Sequence, residues 1–115
     1  MKVNVDEIGG EVVKDNETYI LKDNNELGNL TLSKTILNPF KQTRGHSHET
    51  QEEVYFFHGD GKMVLGEEEF DVKSGDIVLI PKDTFHQVKN PYEKELSFVC
   101  VFEKYSRDGE IAKYK

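Results

Sequence analysis

The sequence predicts an all-β fold, a sandwich or barrel assembled from short strands. Many short runs of β-branched, aromatic and other apolar residues occur along the chain, and each is bounded by Gly, Pro, Asn or Asp. No window shows apolar residues sustained at the 3.6-residue period of an amphipathic helix. Short strands that follow one another with turns between them, and without helices, are typical of sandwiches and barrels.

The first third of the chain contains two predicted strands. Residues 18–21 form the first, and the polar residues 22–26 are predicted to be a turn. The second strand alternates from Leu30 to Leu37 and is ended by Pro39. Its apolar side chains share one face and its hydroxyl side chains the other, so a half-buried strand is expected: Leu30, Leu32 and Ile36 against Thr31, Ser33 and Thr35.

The later strands are short and regularly spaced. They are predicted over residues 46–48, 53–57, 62–65, 70–72, 77–80, 85–89 and 96–102. The last of these carries Cys100 on the same face as Leu96, Phe98 and Phe102, which predicts a buried, unreactive thiol. Residues 105–115 have no strong period, and we expect them to pack outside or to cross to a partner.

Composition limits the classes of function. A chain of 115 residues is expected to form a single domain, residues 1–115, with one core. Its 32% charged residues, its short apolar runs and its lack of a signal-peptide segment predict a soluble protein without a membrane partner. One cysteine excludes an internal disulfide and fits the cytoplasm. The net charge of -7, without a basic patch, argues against nucleic acid as a partner.

The predicted functional site centres on residues 45–55, Gly-His-Ser-His-Glu-Thr-Gln-Glu-Glu-Val-Tyr. His46 and His48 are two residues apart, so in a strand both side chains point to the same face. A carboxylate on the neighbouring strand can join them, and His86 offers one more ligand. Imidazole and carboxylate donors together suit a first-row transition metal.

Residues 75–90 resemble the second motif of the cupin superfamily. The match lies in the spacing of Gly75, Pro81, Asp83, His86 and Asn90. Asp83 stands where a Gly is usual, a mild substitution because Asp tolerates the left-handed backbone conformation better than most residues. Asn90 is expected to stabilise the turn before Pro91 rather than to touch a substrate.

Residues 39–61 resemble the first cupin motif. The match consists of His46, His48, the carboxylate that follows them and Gly59, whereas Phe40 replaces the usual leading Gly. The resemblance implies a double-stranded β-helix, or jelly-roll, barrel that binds one divalent metal through His46, His48, Glu53 and His86. Zn, Mn, Fe, Co and Ni all accept these ligands. It also implies a small-molecule ligand and a homodimer, which would protect exposed sheet edges.

Two residues compete for the role of the carboxylate ligand. Glu52 leaves the usual six residues before Gly59, whereas Glu53 gives a Glu-Val-Tyr sequence found in many small cupins. We favour Glu53 and keep Glu52 as the alternative. The choice decides which face of the strand points inward, because Tyr55 and Phe57 line the barrel only if Glu53 does.

A narrower resemblance links the chain to the archaeal cupin-type glucose-6-phosphate isomerases. It lies in Thr-Arg-Gly-His-Ser-His at residues 43–48 and Glu-Val-Tyr at residues 53–55. The resemblance implies that Thr43 and Gly45 help to hold a phosphate and that Tyr55 lines the sugar site. This chain is shorter than those enzymes and has no evident counterpart of their terminal extensions.

The expected function is therefore that of a metal-binding small cupin, with isomerase-like action on a sugar or sugar phosphate as the leading hypothesis. The metal would act as a Lewis acid on a substrate oxygen. Two alternatives stay open at this point. One is a non-catalytic cupin that binds a small molecule with the help of the metal, and the other is an iron-dependent dioxygenase.

Overall fold

Two antiparallel sheets make up the fold. The structure, a computed structural model, describes residues 2, 4–7, 10–47 and 52–103. Apart from one 3-10 turn at Val5–Glu7, the regular elements in these residues are strands. In chain order they are β1 Glu11–Asp15, β2 Tyr19–Leu27, β3 Leu30–Leu37, β4 Glu53–His58, β5 Gly61–Leu65, β6 Glu68–Val72, β7 Ile77–Ile80, β8 His86–Lys89 and β9 Leu96–Glu103. The predicted all-β class is confirmed.

The larger sheet has the strand order β1-β2-β3-β9-β4-β7, and the smaller has the order β6-β5-β8. Both sheets contribute side chains to one hydrophobic core, so they pack face to face. The small sheet supplies Met63, Val72 and Val88, and the large sheet supplies Leu37, Tyr55, Phe57, Ile80, Leu96, Phe98, Cys100 and Phe102. Within the described residues, no helix has the length and apolarity that crossing a membrane requires.

The register of β4 determines which of its faces points inward. Glu53, Tyr55 and Phe57 are buried, whereas Phe56 between them is 44% exposed. Pairing with β9 on one side and β7 on the other fixes this alternation. The strand therefore has the register in which Tyr55 lines the interior, which is the one expected if Glu53 faces inward.

The polar segment 22–26 is not a turn, and this prediction was wrong. It belongs to β2, where Asp23 pairs with Ser33 of β3, and the chain reverses instead at Gly28, which has a φ of 66°. On β3 the buried side chains are those at positions 31, 33, 35 and 37, so its hydroxyl face points inward. The rule that the apolar face of an alternating strand points inward fails here, because these strands face a polar cavity rather than a dry core.

Both non-glycine substitutions in the two motifs lie at left-handed backbone positions. Phe40 has a φ of 60° and Asp83 a φ of 57°. The expectation that Asp83 takes the conformation of the missing glycine is confirmed. Phe40 is the more strained of the two, because a bulky side chain gains no local hydrogen bond there in return.

Asn90 ties the end of β8 to its surroundings, as its predicted turn-stabilising role requires. Its buried side-chain amide donates to the carbonyls of Leu37, Asn38 and Lys94, at 3.3, 3.1 and 2.7 Å. Its side-chain oxygen accepts from the amide of Tyr92 at 3.2 Å. These bonds hold the loop after β8 against the end of β3.

Candidate metal centre

The segment over residues 41–46 runs antiparallel to β8 and brings two histidines together. His46 and His86 exchange two backbone hydrogen bonds, with N–O distances of 3.1 and 2.9 Å. Directly opposed residues in an antiparallel pair project to the same side. Their imidazole rings accordingly meet edge to face, with centroids 4.5 Å apart.

The ring of His86 is fixed by a hydrogen bond to the backbone. Its Nδ1 lies 2.9 Å from the carbonyl oxygen of Thr84, so we assign the proton to Nδ1, which donates to that oxygen. The lone pair then resides on Nε2, the atom that would bind a metal. Metal-ligating histidines commonly have their second nitrogen held in this way.

Glu53 begins β4 and presents a buried carboxylate beside these rings. The Cys100 thiol on the neighbouring strand β9 donates to its Oε2, with an S–O distance of 2.7 Å. Burial, and then the charge of Glu53, raise the pKa of Cys100 well above its usual range, so the thiol stays protonated as a donor. Cys100 thus orients the carboxylate from behind, which agrees with its predicted buried position.

The donor atoms of His46, Glu53 and His86 all lie within 4.8 Å of one another. Two donors that each lie about 2.1 Å from one ion are separated by at most about 4.2 Å, so a small inward movement would bring all three into range. This donor set fits a divalent transition metal. Glu52 is exposed and does not join the cluster, and His48 lies outside the described residues.

A cavity of about 440 Å³ opens beside this cluster, within the size range of small-molecule sites. Thr43, Gly45 and Tyr55, the residues predicted to bind substrate, all line it, and their contact with a substrate stays a prediction. Tyr55 packs its ring between those of Phe98 and His86, with centroids 5.0 and 5.8 Å away.

Gly45 is required by the backbone beside His46. Its φ is 85°, and a Cβ atom there would lie 2.5 Å from the Phe85 ring. The segment therefore follows β8 closely only because residue 45 has no side chain. It is held there by Thr43, whose hydroxyl accepts from the Val88 amide at 3.0 Å.

Sequence reasoning missed the cavity wall that β2 and β3 form. Asp23, Ser33 and Thr35 all line the cavity. Ser33 donates its hydroxyl to the Asp23 carboxylate at 2.8 Å. The alternating hydroxyl residues of β3 were the available signal, but their direction depends on what fills the interior.

Comparison with known proteins gives both a family and a relative. A sequence model described as the cupin domain matches residues 35–102, more than half of the chain. An uncharacterized protein from Methanocaldococcus jannaschii is 37% identical over 71 residues. That match covers 61% of this chain and 57% of the archaeal protein, so the chain spans little more than half the length of this relative.

Solved structures share the architecture at low sequence identity. A conserved Klebsiella pneumoniae protein with a double-stranded β-helix domain has a TM-score of 0.76 at 20% identity, covering 91% of this chain and 90% of that one. A predicted oxalate decarboxylase from Thermotoga maritima has a TM-score of 0.74 at 20% identity, with coverage of 91% and 100%. A protein from Acidithiobacillus ferrooxidans, provisionally named a sugar phosphate isomerase, has a TM-score of 0.65 at 18% identity, with coverage of 75% and 60%. At these identities the likeness concerns the fold, and it confirms the predicted double-stranded β-helix.

Proposed function

This chain belongs to the cupin family, and on that premise we propose that it is a metal-dependent enzyme acting on a small oxygen-rich substrate, with sugars and sugar phosphates as the leading class. The observation that carries the proposal is the meeting of His46, Glu53 and His86 beside a polar-walled cavity. Three donors of this kind at a cavity of substrate size are the arrangement that metal-assisted chemistry needs.

The metal would be held by these three residues together with His48, the fourth ligand that the sequence motif predicts. Imidazole and carboxylate donors accept Zn, Mn, Fe, Co or Ni. When bound, such an ion supplies Lewis-acid polarisation of a substrate oxygen. Within the chain, Thr84 orients His86 and Cys100 orients Glu53 before any metal arrives. This preorganisation lowers the conformational cost of binding.

The cavity lining supports a substrate that is polar and carries an anionic group at one end. Arg44 lines the cavity, is exposed at its opening and supplies positive charge there. The Thr43 hydroxyl, which accepts from a backbone amide, keeps its own proton to donate to a ligand. Tyr55 offers an aromatic face to the carbon skeleton.

Metal content of protein purified without added metal tests the site directly. Glu52→Gln and Glu53→Gln are a matched pair, because both remove one charge and the residues are adjacent. We expect Glu53→Gln to lose most of the bound metal and Glu52→Gln to retain the wild-type amount. Equal metal content in the two variants would contradict the assignment of Glu53 as a ligand.

Turnover is tested by incubating protein loaded with each of several metals with fructose 6-phosphate and related sugars. Formation of an isomeric sugar, lost in Glu53→Gln, is the expected result. Tight sugar binding without turnover under any metal would identify a metal-dependent binding protein instead. If the protein neither binds nor converts any of these sugars, the choice of substrate class is refuted.

The outer face of the larger sheet supports a homodimer. Phe56, Ile77 and Leu79 project outward as one apolar patch, with exposed fractions of 44%, 61% and 57%. We propose that a second copy covers this patch, since a two-fold dimer needs only one self-complementary face. The patch includes edge strand β7, so the same contact would shield an exposed strand edge.

Light scattering of the protein as it elutes from a sizing column gives its molar mass, which tests the dimer. Replacing Ile77 and Leu79 together by lysine should give a monomer, because two unpaired charges on each copy would face the same apolar surface. Val12→Lys is the control, because Val12 is an equally exposed apolar residue at the opposite edge strand of the same sheet. A monomeric wild type, or a dimer that survives the double substitution, would contradict this interface.

A further inference from the structure

We propose that Asp23, Ser33 and Thr35 form a hydroxyl-binding wall that receives the uncharged, polyhydroxylated end of the substrate. This inference rests on the function proposed above and narrows its substrate class. The wall lies on β2 and β3, outside both histidine motifs. It would decide which end of a sugar-like molecule faces the metal cluster.

The backbone pairing brings the three side chains together. Asp23 of β2 pairs directly with Ser33 of β3, and Thr35 follows two residues later on the same face of the strand. All three line the cavity, and their exposed fractions are only 8%, 8% and 7%. They are therefore interior groups directed at the cavity rather than surface residues.

Polar groups in such a position need hydrogen-bonding partners, because burial without them costs free energy. Ser33 satisfies part of this need by donating to Asp23 at 2.8 Å. The Thr35 hydroxyl differs, because it makes no hydrogen bond to any other residue that the structure describes, although the residue as a whole is more than nine-tenths buried. Its donor and its acceptor sites therefore stay available to a ligand hydroxyl in the cavity.

The chemistry of the wall matches hydroxyl groups. A carboxylate only accepts hydrogen bonds, whereas the Thr35 hydroxyl both donates and accepts. A sugar hydroxyl, which also does both, can bond to Asp23 and Thr35 at once. Leu21 and Phe98 flank the wall and offer apolar surface to the carbon chain. A phosphate or carboxylate would be repelled by Asp23, so the end of the ligand that lies here is neutral.

The wall lies close to the metal cluster, because both adjoin strand β9. Ser33 pairs directly with Cys100, and the Cys100 thiol donates to the Glu53 carboxylate. A ligand bound at the cluster can therefore extend to the wall within the same cavity.

Gluconate and glucarate provide the test, because they differ only at one end of a six-carbon chain. With one carboxylate on the metal cluster, gluconate places a hydroxyl end on the wall, whereas glucarate places a second carboxylate there. Calorimetry on metal-loaded protein should show that gluconate binds at least about tenfold more tightly than glucarate. The second carboxylate of glucarate would contact the like-charged Asp23. Asp23→Asn should reduce this preference to within about threefold.

The hydroxyl of Thr35 is tested separately. Thr35→Val keeps the shape of the side chain and should weaken gluconate binding by about three- to tenfold, the effect of one lost hydrogen bond. Thr31→Val is the matched control, because Thr31 lies buried on the same face of β3 but does not line the cavity. It should leave gluconate affinity within about twofold of wild type, even if stability falls as its bond to Asn25 is lost.

The outcomes separate the two proposals. Metal content is measured on the same samples, and a chain that retains no metal contradicts both the proposed function and the wall. A metal-loaded chain that binds gluconate and glucarate equally contradicts the wall alone. The wall is also refuted if metal-loaded protein binds neither compound, or if Asp23→Asn leaves the preference unchanged.

Discussion

Replacing Asn90 by alanine should destabilise the protein by about 3–4 kcal/mol. The Asn90 side chain makes three hydrogen bonds, one of them bifurcated: its two amide protons reach the carbonyls of Leu37, Asn38 and Lys94, and its oxygen accepts from the amide of Tyr92. Each bond contributes about 1 kcal/mol net, and the truncation also leaves a small void. Such a loss is a large fraction of the 5–15 kcal/mol that stabilises a typical domain.

Asn90→Asp is the more informative substitution, because it keeps the shape and exchanges the donating amide for an acceptor. At pH 7 a carboxylate would face three carbonyl oxygens, and we expect it to destabilise more than alanine does. This environment would raise the folded-state pKa of the new carboxyl above its unfolded value of about 3.9. The protonated form is then favoured by folding, so the variant is relatively most stable below about pH 4 and loses stability as the pH rises.

Urea unfolding followed by circular dichroism measures both effects. With a slope of about 1–3 kcal/mol per molar urea, the alanine substitution should lower the midpoint by about 2 M. Asn38→Ala is the control, because the Asn38 side chain makes one hydrogen bond, to the Glu17 carbonyl, and should cost about 1 kcal/mol. The reasoning is refuted if Asn90→Ala costs no more than Asn38→Ala, or if Asn90→Asp is as stable as wild type at pH 7.

Three further predictions concern single positions. Gly45→Ala should destabilise the protein more than Gly28→Ala and should also lower the metal content measured by elemental analysis. Both glycines have positive φ, but only the space around Gly28 is open. Equal losses of stability would exclude a steric role for the Phe85 ring. Phe40→Gly should raise the thermal midpoint slightly, by the equivalent of about 0.5 kcal/mol. It relieves a left-handed conformation, worth about 1–2 kcal/mol, at a residue that is 66% exposed, and glycine returns about 0.5–1 kcal/mol of this as unfolded-chain entropy. A lower midpoint would contradict this. Because the pKa of Cys100 is raised by folding, its contribution to stability is fully present below about pH 8.5 and is lost as the pH rises; the unfolding free energy of wild type should fall above that pH more steeply than that of Cys100→Ala, and parallel pH profiles would refute it.

Much of the site could be predicted from sequence because its residues follow local rules. Alternation along β4 is enforced by a partner strand on each side, so placing Glu53 inward also placed Tyr55 and Phe57 inward. The positive φ of Asp83 followed from the absence of a glycine at a position that requires one. In each case the determining interaction lies within a few residues or across one strand pair.

The polar half of the larger sheet could not be predicted in the same way. Residues 22–26 resemble a turn because their side chains are polar, yet Asp23 and Asn24 are buried within β2. Polarity predicts exposure to water only when the interior is apolar. Whether a strand faces a dry core or a cavity depends on the whole barrel, and no window of sequence contains that information.

The inward hydroxyl face of β3 has a consequence for how stability is distributed. Among the described residues, the buried hydrophobic core takes Leu37 from β3, and Tyr19 of β2 packs against it only partly buried, whereas β4 and β9 supply all of its fully buried aromatic side chains. The half of the sheet that contains β4 and β9 is thus stabilised by core packing, whereas the half that contains β1 and β2 borders the cavity. We therefore expect the amide hydrogens of β1 and β2 to exchange faster than those of β4 and β9, and a ligand that fills the cavity should slow that exchange.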